Sequence, residues 1–146
     1  MARDERRSQL EREAVDTLTA EFVALRNLAR RYPEEDAGED EMRPFRLEAL
    51  DHHLRIDQAL VRLPNEQLRI RIGDVTLASQ RAFQGFEDDR QTRFTAAFTV
   101  TAEALGCLGA SLREEEMPPL TSHTAEARRR RLVHEARRQT NSAELP

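Results

Sequence analysis

A chain of 146 residues with 38% hydrophobic and 34% charged side chains is sized for one domain with a real core. A single cysteine excludes an intrachain disulfide and an all-cysteine metal cage, and the absence of lysine among the 23 basic residues excludes the usual phosphate-loop lysine. The formal charge of −4 is unevenly spread: residues 1–120 hold 17 arginines against 24 acids, net −7, while residues 121–146 hold six against three, net +3.

The first element runs from about Asp4 to Tyr32. Val15, Leu18, Phe22, Leu25, Ala29 and Tyr32 step by three and four, a helical seam that Leu10 and Leu28 widen. Pro33 closes it. Six acids in the nine residues 33–41 then repel one another, so residues 33–43 read as a mobile acidic loop. Their spacing does not match the ligand pattern of an EF-hand.

A second helix is predicted from Pro44, a good first-turn residue, to Leu63 before Pro64. Ala49, His53, Ile56, Leu60 and Leu63 form one apolar row; Leu47, Leu50, Leu54 and Val61 form a neighbouring one. Two adjacent rows predict a broad buried face and a central position. The third element opens with Asn65 as a cap and places Leu68, Ile72, Val75, Ser79, Ala82 and Phe86 on one stripe. Residues 68–77 also alternate with period two around Gly73-Asp74, the pattern of a hairpin. An isolated hairpin is marginal without further strands, so the helix is preferred.

The fourth helix is predicted to start near Asp88 or Asp89 and to end at Met117. Its bulky row is Phe94, Phe98, Thr101, Leu105, Leu108 and Leu112; behind it runs a small row, Ala96, Val100, Ala104, Cys107 and Ser111. Gly106 and Gly109 point to a close helix–helix crossing. The last helix starts near Thr121 or Ser122 and runs to about residue 140, with a thin apolar stripe of Ala125, Leu132, Val133 and Ala136. Residues 141–146 read as a frayed tail. The chain therefore reads as all-α: a bundle of four main helices over 1–120, with a basic helix over 121–140 packed on the same domain.

Little in this chain points to chemistry. His53 and Asp57 are four apart, a spacing that can place two ligands on one helix face, and His52 follows Glu48 by the same interval. Neither a Glu-x-x-His nor a His-Glu-x-x-His motif occurs. His53 shares its row with Ile56 and Leu60 and reads as a buried core histidine, and Cys107 as a packing residue. Gly-x-Gly-x-x-Gly and Gly-x-Ser-x-Gly are absent. No metal, cofactor or catalytic residue is assigned.

The resulting expectation is a non-enzymatic protein–protein interaction or regulatory module, self-associating into a homo-oligomer through the seam Val15, Leu18, Phe22, Leu25, Ala29 and Tyr32 together with the fourth helix. The alternative is a nucleic-acid-associated accessory protein that contacts phosphate through Arg128, Arg129, Arg130, Arg131, Arg137 and Arg138. A metal-binding helical-bundle enzyme centred on His53 and Asp57 is the weaker alternative. The polar N-terminus and the lack of a long uncharged apolar run predict no signal peptide, no transmembrane segment and a cytoplasmic location.

Overall fold

The computed structural model describes residues 2–85 and 89–144 and is an all-α bundle. Its helices are α1 (Ala2–Ala29), α2 (Glu39–Leu60), α3 (Glu66–Gln84), α4 (Arg90–Leu112) and α5 (Ser122–Glu144). α1 packs on α2 and α4, and α3 packs on the same two, so the first four close into a ring around one core. α5 lies outside that ring, against α3 and along a short edge of α4.

Local sequence explains the helix ends. Asn65 accepts from the Leu68 N–H at 3.1 Å and Asp89 from the Thr92 N–H at 2.8 Å, capping α3 and α4. Gly85, at φ +75°, ends α3 in the left-handed conformation that glycine adopts without strain. Residues 68–77 are helix, not hairpin: Leu68, Ile72, Val75, Ser79 and Ala82 are all buried on one stripe. Phe86 and Asp88 lie outside the described residues.

Several expected boundaries move. α2 begins at Glu39, five residues before Pro44, because Glu39, Asp40 and Glu41 sit favourably at the positive end of the helix dipole. Pro44 forgoes only one bond near the helix start. The acidic loop shrinks to a linker that Arg90 pins, donating to the Pro33 and Tyr32 carbonyls at 2.7 and 3.0 Å, while Glu35 accepts from the Arg90 N–H at 2.9 Å. α4 stops at Leu112 rather than Met117, since Glu114 turns left-handed at φ +55°. Glu115 N–H donates to the Ala110 carbonyl at 2.8 Å and Glu114 N–H to Ser111 at 3.3 Å, the two bonds of a Schellman ending. α5 continues to Glu144 rather than fraying from residue 141; Leu145 and Pro146 lie outside the described residues.

Packing also rotates two helices relative to expectation. In α4 the small row, Ala96, Val100, Ala104 and Cys107, faces the core and Ser111 is half-buried; of the bulky row Thr101 and Leu108 are buried as well, Phe94, Phe98 and Leu105 are partly buried, and Leu112 is exposed. Small side chains permit close approach in the ring. The α4 glycines do not mark a helix crossing: a Cβ on Gly106 would meet Pro118 Cγ at 3.3 Å, and one on Gly109 would meet the Arg113 guanidinium at 3.0 Å. Of the first α2 row, Ala49, His53 and Ile56 are buried, Leu60 is partly buried and Leu63 is buried just beyond the helix; the neighbouring row is not buried, and Leu10 of α1 is likewise exposed. The most deeply placed helix is α3, which touches α2, α4 and α5.

Candidate functional site

Among the described residues, the one arrangement resembling a nucleophile and its base is formed by His53 and Ser79. His53 Nε2 lies 2.8 Å from Ser79 Oγ, yet both residues are buried, and no hydrogen bond reaches His53 Nδ1. A working pair needs an orienting third group and access for substrate. Burial, helped by neighbouring His52, pushes the imidazole down to about 4, so it is neutral at neutral pH. The ring stands edge-on to Phe83, with centroids 5.8 Å apart. His53 is a core residue.

Asp57 is exposed, with its carboxyl raised by partial desolvation. Among the described residues no group of three His, Cys, Asp or Glu side chains converges to hold a metal ion. His52 pairs with Glu21 at 2.6 Å rather than with Glu48, which pairs with Arg31. Cys107 is buried, and that burial raises its thiol above the ordinary value.

Charge is instead concentrated inside the α3–α4–α5 junction. Arg71 donates to Glu103 at 2.8 Å and to the Pro118 carbonyl at 2.6 Å. The other oxygen of Glu103 accepts from Thr121 N–H at 3.1 Å and from Thr124 Oγ1 at 2.8 Å. One turn along α3, Asp74 is only 1% exposed and accepts from Arg128 at 2.8 Å and Arg131 at 2.7 Å. α5 is thus held by paired charge, with only Thr124 and Ala127 buried on it.

The six C-terminal arginines therefore do not form one patch. Arg128 and Arg131 are committed to Asp74, and Arg129 and Arg130 pair with Glu126. Arg137 and Arg138 are exposed and make no ion pair among the described residues. The seam Val15, Leu18, Phe22, Leu25, Ala29 and Tyr32 is wholly buried against the chain's own helices. Tyr32 also donates its hydroxyl to the Ala82 carbonyl at 2.6 Å.

What the bundle leaves uncovered is elsewhere. On α2 and at its C-cap, Leu47, Leu50, Leu54 and Val61 are 51%, 42%, 52% and 77% exposed. Their spacing of three, four and seven lines them up along one face, with Asp57 completing the repeat. On α5, Ala125, Leu132, Val133 and Ala136 point away from the bundle, because Thr124, Ala127, Arg128 and Arg131 take the inward face. Both stripes are visible in the sequence; that they face outward is not.

By length and composition alone α4 is apolar enough to cross a membrane, but half of its apolar window is buried in the bundle, as in a core helix. No protein-family model matches the chain, and no curated protein or solved structure is significantly similar to it.

Proposed function

We propose that this chain is a non-enzymatic cytoplasmic interaction module whose docking surface is the outer face of α2. One observation carries the reading: four large apolar side chains, Leu47, Leu50, Leu54 and Val61, stand exposed in a row at coiled-coil spacing. Scattered exposed leucines are ordinary, but an aligned row on one helix fits a partner helix laid along it. The seam on α1 does not serve this purpose, since the core already occupies it.

The test compares wild-type protein with the double variant Leu50→Arg/Leu54→Arg as bait in a lysate of the native host. A partner retained by the first and lost by the second, with unchanged circular dichroism and melting temperature, supports the reading. Identical retention by both baits overturns it. Duplex DNA serves as the control ligand: binding whose affinity falls with salt and that depends on Arg137 and Arg138 favours the nucleic-acid alternative instead.

A further inference from the structure

We propose that Arg3, Arg6, Arg7 and Arg62 form a binding site for a ligand of the nucleoside triphosphate class: an uncharged planar group carrying a compact run of phosphates. The site lies where the start of α1 meets the link between α2 and α3, and it is independent of the α2 face.

The residues come together from two places in the chain. Arg3, Arg6, Arg7 and Leu10 follow one another at steps of three, one and three, which puts them on one side of α1. Arg62 and Pro64 belong to the link 61–65. These six residues line a hollow of about 210 Å³, and no acid is among them. The walls are almost wholly carbon, from Leu10, Pro64 and the arginine stems, so the charged heads are left to the rim.

None of the four arginines forms an ion pair or a side-chain hydrogen bond among the described residues. Arg31, Arg55, Arg71 and Arg113, by contrast, each hold a carboxylate. The acids of α1 do not neutralise the group. Asp4 and Glu5 lie roughly 110° and 150° round the helix from the middle of the row. Glu11 lines a different hollow, beside Glu114, Glu115 and Glu116, and Glu13 accepts from Gln9 at 3.2 Å. Arg3, Arg6 and Arg7 also sit in the first two turns of α1, at the positive end of its dipole, where a cation is disfavoured and an anion is stabilised.

Size, wall chemistry and surroundings narrow the occupant. Pockets that enclose a whole ligand run to roughly 300–1,000 Å³, so this hollow seats one group and leaves the rest outside. A nucleobase suits carbon walls and stacks on guanidinium planes, and its phosphates then meet the guanidinium forks at the rim. An extended nucleic acid fits less well. It would run on to Asp4, Glu5 and the acidic hollow beyond, on a body with 17 arginines against 24 acids over residues 1–120. A membrane fits less well again, since Leu10 and Pro64 are the only apolar side chains of the hollow and an interfacial helix needs a broad apolar face.

Isothermal titration calorimetry in metal-free buffer tests this, with adenosine triphosphate and inorganic tripolyphosphate as probes. The proteins are the full chain, Arg6→Gln/Arg62→Gln and, as an independent pair, Arg3→Gln/Arg7→Gln. Arg137→Gln/Arg138→Gln is the control for exposed arginine elsewhere. All four positions of the site are exposed, so melting temperatures are expected to stay at the wild-type value. One molecule of the nucleotide per chain is expected, bound less tightly as salt rises. Its affinity is expected to drop at least about tenfold in either site variant and to be unchanged in the control. Tripolyphosphate is expected to bind more weakly, because it leaves the carbon walls uncovered. An absence of saturable nucleotide binding at millimolar concentration overturns the proposal, as does an equal loss in site and control variants. Tripolyphosphate binding as tight as the nucleotide's overturns the seating of a base in the hollow. Tighter binding to duplex DNA or to anionic vesicles through the same arginines overturns the assignment to a small ligand.

Discussion

Arg131 Nε lies 2.7 Å from Oδ1 of Asp74, a carboxylate with almost no access to water. Arg128 reaches its second oxygen at 2.8 Å. The two sides of this clamp are unequal. Both guanidinium groups retain about 30% of their surface in solvent, whereas the carboxylate is sealed. Removing the acid lets the arginines turn outward; removing both arginines strands a buried negative charge. Arg128→Ala/Arg131→Ala is therefore expected to cost about 3–5 kcal/mol, more than Asp74→Asn or either single arginine variant. Urea unfolding of the set checks the order, and equal costs for the double variant and Asp74→Asn would contradict it. Hydrogen exchange is expected to speed up first in α5, which has few other buried contacts.

His53 gives the fold a pH dependence of defined sign. Its folded value of about 4 lies below its ordinary 6.5, so the unfolded chain binds more protons between those limits. Stability from this group is complete above about pH 6.5 and falls as the pH drops toward 4, by on the order of 3 kcal/mol in all. Replacing His53 with glutamine, which can still hydrogen-bond Ser79, is expected to flatten that part of the profile. A slope unchanged in His53→Gln would assign the acid sensitivity to other groups.

Glu114 ends α4 at φ +55°, where a residue with a Cβ is strained and glycine is not. Its side chain is exposed and is given no role in the ending, whose hydrogen bonds come from the backbone. Relief of strain, roughly 1–2 kcal/mol, exceeds the entropy that glycine adds to the unfolded chain, roughly 0.5–1 kcal/mol. Glu114→Gly is therefore expected to raise the melting temperature slightly, and Glu114→Val to lower it. Calorimetry of the pair settles the sign.

These relationships differ in how far the sequence disclosed them. The helices were legible because apolar steps of three and four leave few alternatives, and because Asn65 and Asp89 mark starts. The all-α class followed from the same pattern. Rotation was not legible. α2 carries two adjacent apolar rows, and periodicity cannot say which one a neighbour will cover. In α4 the bulkier row would be the natural choice for the core, yet only Thr101 and Leu108 of it are fully buried, and close packing in the ring favours the row of Ala, Val and Cys. The α5 arginines read as a solvated or phosphate-binding run because Asp74, which takes two of them, is more than fifty residues away in the chain. The candidate surface was therefore present in the sequence as residues, but identifiable only after the core had claimed the other faces.

Ile56 and Leu54 lie two residues apart on α2 and separate its two faces. Ile56 is fully buried and Leu54 is 52% exposed. Truncating Ile56 to alanine removes buried methylenes and leaves a cavity, at a cost of about 2–5 kcal/mol. Truncating Leu54 removes atoms that water already touches, so a change within about 0.5 kcal/mol is expected for the isolated chain. Concentration separates folding from docking. If the α2 face is covered by another molecule, the cost of Leu54→Ala should grow as protein concentration rises, because association stabilises the folded state by mass action. The cost of Ile56→Ala includes a core term that is present at any dilution. Thermal melts of both variants at low and high concentration measure the difference. A Leu54→Ala effect that stays near zero throughout would mean that the stripe is bare surface in solution.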